Sequence, residues 1–133
     1  MKAPFSLLFV RLLPVVFVTA AAAAYAFYVE GPDAYAARNV APMFAVLVLA
    51  GVTLYRGGGM WTGSGWRWPL ATVGFAIPAL GLSMYLHYGY ATDLHGMYSE
   101  AVYPQELFRF LPMYTLVAGC IGFAIGWIIG RNV

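Results

Sequence analysis

The sequence predicts an all-α integral membrane protein with four transmembrane helices, short loops and both termini in the cytoplasm. Of its 133 residues, 62% are hydrophobic and 9% are charged, and the mean hydropathy is +0.76. Soluble domains carry about 25% charged residues. The apolar stretches are continuous and do not alternate with a period of two, which favours helices over a β-barrel. Each of four stretches reaches the roughly 20 residues that cross about 30 Å of hydrocarbon.

The predicted helices span about 5–29, 34–55, 68–90 and 105–130, and together they form a single domain over residues 1–133. Each has one proline near its start and another inside, namely Pro4 and Pro14, Pro32 and Pro42, Pro69 and Pro78, Pro104 and Pro112. A proline in the first turn is tolerated, whereas an inner proline removes one hydrogen bond and bends the helix. The first segment also has the basic start, apolar middle and Ala-x-Ala ending of a cleaved signal peptide. We interpret it as a retained helix.

Basic residues are divided unequally between the two sides of the predicted bundle. The side with both termini carries Lys2, Arg11, Arg56, Arg67 and Arg131, and the opposite side carries Arg38 and Arg109. Because cationic residues in short loops resist translocation, this division predicts cytoplasmic termini. The tryptophans gather on the first side and most tyrosines on the other, as two interfacial belts would. The small size and simple loops suit a bacterial inner membrane.

The fourth predicted helix carries the clearest motif of the chain. Ala118, Gly122, Gly126 and Gly130 recur every four residues and would form a flat strip of small residues. Such a strip lets another helix backbone approach closely in lipid. The partner is either a helix of the same chain or another subunit. Small residues on the other three helices add further packing surface, which favours contacts with other transmembrane subunits as well as with membrane lipids.

Candidate polar sites lie near the outer loop. His87 and His95 could bind a metal, but their spacing matches no familiar ligand pattern, so we predict no metal site. His87 lies on a helix and is therefore the candidate cofactor ligand, although the sequence requires no cofactor; lipid or pigment contacts are compatible with it. Glu106 and Arg109 are one turn apart and form a candidate polar contact, either as a structural pair or along a ligand path.

The motifs of common enzymes and of nucleotide-binding proteins are not found. Cys120 lies deep in the fourth helix and both histidines lie at the outer edge, so no Cys-His or Ser-His-Asp arrangement can be assembled. The glycine-rich loop RGGGMWTGSGWRW matches neither phosphate-binding motif. A net charge of +2 does not favour nucleic acid. We predict that the protein is not an enzyme and binds neither nucleic acid nor nucleotide.

These observations favour a non-catalytic accessory subunit of a larger membrane complex, with a photosynthetic or respiratory energy-transducing assembly as the suggested host. One alternative is a small homo-oligomeric transporter or channel whose path is lined by Glu106 and Arg109. The other is a quinone- or metal-binding protein with its site at the outer face, formed by His87, His95 and nearby tyrosines.

Overall fold

The computed structural model describes residues 5–30, 39–92 and 106–131, and these residues form four α-helices. They are α1 (Phe5–Glu30), α2 (Ala41–Arg56), α3 (Arg67–Thr92) and α4 (Glu106–Arg131). Three of them contain stretches long and apolar enough to cross a membrane, namely Phe5–Val29, Arg67–Tyr90 and Phe110–Arg131. The predicted all-helical fold is confirmed. By length and composition, the three apolar helices indicate a membrane protein.

The second helix is shorter than the sequence predicts. It has 16 residues and rises about 24 Å, less than the roughly 30 Å of bilayer hydrocarbon. It begins at Ala41 with Pro42 in its first turn, so this proline starts a helix instead of bending one. The first part of the predicted segment, residues 34–38, lies outside the described residues. Pro14, Pro78 and Pro112 do lie inside their helices.

α3 and α4 pack so closely that their backbones touch. A Cβ atom added to Gly122 would overlap the carbonyl oxygen of Gly74, and one added to Gly126 would overlap the carbonyl oxygen of Leu70. A Cβ on Gly130 would lie 2.7 Å from the Cα of Arg67. Three of the four predicted strip residues therefore lie against α3 of the same chain, and the fourth, Ala118, is half-buried.

An inner proline lies at one of these close contacts. The missing N–H of Pro78 leaves the carbonyl of Gly74, four residues earlier, without its helical partner. The Cα of Gly122 lies against this carbonyl oxygen, and the relation is mutual, because a Cβ on Gly74 would overlap the carbonyl oxygen of Gly122. Such Cα–H···O contacts recur where helices approach each other closely. Pro78, Gly74 and Gly122 therefore act together in the close contact between α3 and α4.

Other contacts join α2 to its neighbours. The hydroxyls of Thr53 and Thr72 are 2.9 Å apart and buried, so they link α2 to α3 by a hydrogen bond. Met43 of α2 forms a buried cluster with Ala22 and Ala26 of α1. A second buried cluster joins α2 to α3 through Val46, Phe75 and Ala79. α2 thus packs between α1 and α3.

The loop after α2 is ordered by its glycines. The N–H of Gly59 donates to the carbonyl of Leu54 at 2.8 Å, and the N–H of Gly58 donates to that of Tyr55 at 3.3 Å. These two bonds define a Schellman motif, with Gly58 in the left-handed conformation at φ 65°. The run of three glycines therefore serves as a helix stop.

Candidate functional site

An apolar groove separates α1 from α3 and is a large concave feature of the described residues. Its volume is about 600 Å³. The residues that line it come from three helices and the loop between α2 and α3: Pro14, Val15, Val18 and Thr19 of α1, Val46 and Ala50 of α2, Pro69, Thr72, Val73, Ala76 and Leu80 of α3, and Trp61, Thr62 and Trp66 of the loop. We call it the α1–α3 groove. Its volume lies within the range of about 300–1,000 Å³ typical of small-molecule sites.

The length of the groove corresponds to half of a bilayer. Its lining on α3 runs from Pro69 to Leu80, which is a rise of about 16 Å at 1.5 Å per residue. The hydrocarbon of a bilayer is about 30 Å thick, so each leaflet contributes about 15 Å. Trp61 and Trp66 lie at the end of the groove next to the loop. A groove aligned with the membrane normal would therefore be about as long as one leaflet is thick.

Arg11 lies beside the end of the groove that the loop lines. It precedes Val15 by four residues and Val18 by seven, so all three lie on one face of α1. The half-buried Arg11 donates a hydrogen bond from Nη1 to the carbonyl oxygen of Gly59, at 2.6 Å. Gly59 precedes the groove residue Trp61 by two positions. The sequence places Arg11 near an interface, and the structure gives it this specific acceptor.

The end of the bundle next to the loop is also rich in arginine and tryptophan. The guanidinium of Arg56 lies 5.4 Å from the ring centroid of Trp68, and that of Arg67 lies 5.1 Å from Trp127. The rings of Trp68 and Trp127 meet edge to face at 5.5 Å, and Phe123 stacks on Trp127 at 6.0 Å. Cation–π contacts of this kind contribute about 0.5–1 kcal/mol at exposed sites. We call this region the arginine end.

His87 lies in a separate place, on the part of α3 beyond the groove. Its side chain is fully buried. Nδ1 is 2.7 Å from the carbonyl oxygen of Ser83, one turn earlier, and 3.4 Å from the Ser83 hydroxyl. Because a carbonyl oxygen can only accept, Nδ1 is the donor in the contact with Ser83. His87 is therefore a buried, hydrogen-bonded histidine, and its role as a cofactor ligand stays a prediction.

Several predicted site residues lie outside what the structure describes. His95 belongs to the undescribed residues, and the side chains of Glu106 and Arg109, in the first turn of α4, are also undescribed. Among the described residues, no group of three or more His, Cys, Asp or Glu side chains could hold a metal. Cys120 is exposed on the surface of α4. The candidate contact between Glu106 and Arg109 thus stays a prediction.

The sequence did not single out the threonines. Thr19 and Thr72 line the groove, and the hydroxyl of Thr19 donates to the carbonyl of Val15 at 2.8 Å. Thr115 donates in the same way to the carbonyl of Leu111 at 3.1 Å. A threonine inside a long apolar helix indicates a polar contact at that position, because its hydroxyl needs an acceptor there.

Comparison with known protein families, with curated proteins and with solved structures finds no match to this chain. The class of protein is therefore defined by the fold alone, as a small all-helical protein with three helices that could span a membrane.

Proposed function

We propose that this protein is a non-catalytic membrane protein that binds a lipid-type molecule, with the hydrocarbon chain of the ligand lying in the α1–α3 groove. The observation that carries the proposal is the size and position of the groove. It is about 600 Å³ in volume and is lined almost wholly by apolar side chains. Its length of about 16 Å matches one leaflet, whereas a transmembrane helix of a partner would need about 30 Å. A single chain therefore fits the groove better than a helix does.

The test is to fill the groove and measure bound lipid. Ala76 is half-buried and lines the groove, so Ala76→Phe places an aromatic ring in the space that the chain would occupy. Ala124 is exposed on α4, away from the groove, and Ala124→Phe is the matched control. Native mass spectrometry in mild detergent should detect a retained lipid with the unmodified protein and with Ala124→Phe, and its loss with Ala76→Phe. Equal lipid retention by both variants would refute the proposal.

The accessory-subunit role predicted from the sequence is our second proposal, because α4 leaves one apolar face uncovered. Val117, Ile121, Ile125 and Ile128 are all more than half exposed and recur at helical spacing. The glycine strip packs inside the chain, so this isoleucine-rich face is the surface that a neighbouring subunit would cover. Native mass spectrometry should then show a hetero-complex of fixed stoichiometry that Ile125→Trp disrupts. A chain that stays alone would contradict this role.

The two alternatives from the sequence have no such support. The transporter or channel depends on Glu106 and Arg109, and the outer-face quinone or metal site depends on His95 together with His87. Most of these side chains are not described. Both alternatives stay predictions.

We also propose that the arginine end faces the cytoplasm of a bacterial cell, in the inner membrane. The support is that the charged side chains that the structure describes are Arg11, Arg56, Arg67 and Arg131, all at or near this end. Cationic residues are enriched on the cytoplasmic side. A green fluorescent protein fused after residue 133 should fluoresce, and alkaline phosphatase at the same position should be inactive. An active phosphatase would reverse the orientation.

A further inference from the structure

We infer that the ligand of the α1–α3 groove is an anionic phospholipid, and that Arg11 binds its phosphate. This inference rests on the proposed function, because it names the headgroup of the molecule whose chain lies in the groove. It comes from three observations: the position of Arg11, its unbalanced charge, and the polar groups of the adjacent loop.

The position of Arg11 is that of a headgroup ligand. Arg11 shares a face of α1 with the groove residues Val15 and Val18, one and two turns further on. Its guanidinium contacts Gly59, in the same loop that supplies Trp61 and Thr62 to the lining. A lipid whose chain runs along α3 from Pro69 toward Leu80 would have its head at this end of the groove. The phosphate would thus lie beside the Arg11 guanidinium.

The charge of Arg11 is not neutralised by the described residues. A guanidinium has five N–H donors, and the hydrogen bond to the Gly59 carbonyl uses one of them. A carbonyl oxygen is neutral, so none of the described side chains supplies a counter-charge to Arg11. The described side chains near this end include further arginines, Arg56 and Arg67, and no carboxylate. A negative ligand would therefore be attracted here.

The chemistry of the site favours phosphate. Guanidinium groups bind phosphate through two parallel N–H···O bonds, and Arg11 still has donors for such a pair. Thr62 is exposed and carries a hydroxyl, and Trp66 is 46% exposed and carries an indole N–H donor. These two side chains line the same end of the groove and could bind headgroup or ester oxygens. A zwitterionic headgroup would bring its own cation close to these arginines and would bind less well.

The experiment measures headgroup preference with the chains held constant. The purified full chain is incubated in mild detergent with equal amounts of phosphatidylglycerol and phosphatidylcholine that carry the same acyl chains. Native mass spectrometry then gives the ratio of the two bound lipids. One arginine near a charged membrane surface contributes about 1 kcal/mol, which corresponds to about a fivefold preference. We expect the unmodified protein to prefer the anionic lipid by about fivefold, and Arg11→Gln to bind both lipids equally.

Two further variants make the result specific. Arg131→Gln removes an arginine in the last turn of α4, a helix that contributes no residue to the groove, so it should keep the preference. Arg11→Lys keeps the charge and a donor for Gly59, and it should keep part of the preference even if Arg11→Gln unfolds. The preference for the anionic lipid should also decrease as the salt concentration increases, because salt screens the attraction between the partly exposed Arg11 guanidinium and the lipid phosphate.

The outcomes separate this inference from the proposed function. Ala76→Phe should lose both lipids. If it does, but Arg11→Gln prefers the anionic lipid as strongly as the unmodified protein, then the groove binds a chain and Arg11 does not select the head. An unmodified protein without preference would overturn the inference in the same way. If Ala76→Phe retains both lipids, the proposed function itself is wrong.

Discussion

Replacement of Gly122 by alanine should loosen the packing of α4 on α3. The added Cβ would overlap the Gly74 carbonyl oxygen and lie 2.8 Å from Cγ of Pro78, whereas carbon atoms in contact are about 3.5–4.0 Å apart. α4 would therefore have to move away from α3 by about 1 Å. We expect an overpacking cost of about 1–3 kcal/mol, with about 0.5–1 kcal/mol more for each Cα–H···O interaction that the movement breaks.

Gly81→Ala is the matched control, because a Cβ at Gly81 meets no atom within 4 Å. Both substitutions gain the same helix propensity, about 0.8–1.0 kcal/mol, so this gain cancels when the variants are compared. Gly122→Ala should therefore be less stable than Gly81→Ala by about 2–5 kcal/mol. This difference combines the overpacking cost with one broken Cα–H···O interaction from each glycine of the pair.

Unfolding by SDS in mild detergent measures this difference. Trp68 and Trp127 report it through their fluorescence, since Trp68 on α3 contacts Phe123 and Trp127 on α4. Far-UV circular dichroism should show that both variants remain helical before SDS is added. Equal SDS midpoints for Gly122→Ala and Gly81→Ala would mean that the two backbones do not touch, and the packing argument would be wrong.

Two further predictions use the same unfolding assay. Thr53→Val and Thr72→Val each remove one partner of a buried hydrogen bond, so a double-mutant cycle should give a coupling of about 0.6 kcal/mol and at most about 1.7; simple additivity of the two effects would contradict the bond. Gly58→Ala forces a Cβ into the left-handed conformation at φ 65° and should cost about 1–2 kcal/mol, with a smaller cost for Gly58→Asn. An alanine variant as stable as the parent would argue against the Schellman motif.

The sequence was sufficient for most of the fold because hydropathy and length decide whether a helix can enter a membrane. It was insufficient for the start of α2. Pro42 could either bend a long helix or begin a short one, and the sequence around it fits both. The structure places the N-cap at Val40 and the first residue of α2 at Ala41.

The candidate site was less predictable. A groove is a gap between helices, and no residue type or spacing in the sequence marks the positions that line it. Ala76 in the groove and Ala79 in the core are the same residue type three positions apart. Arg11 was noticeable as a charge in an apolar segment, but its acceptor, Gly59, is 48 residues away. Periodicity within one helix cannot reveal such a partner.

The unequal lengths of the helices have a consequence for the surrounding bilayer. α1, α3 and α4 have 26 residues each and rise about 39 Å, while α2 rises about 24 Å. In a bilayer with about 30 Å of hydrocarbon, the long helices would accommodate the excess by tilting, whereas α2 would match a thinner layer. This hydrophobic mismatch favours thinning of the bilayer beside α2. We therefore expect short-chain lipids to collect on the side of the protein where α2 is exposed, and longer-chain lipids beside the three long helices.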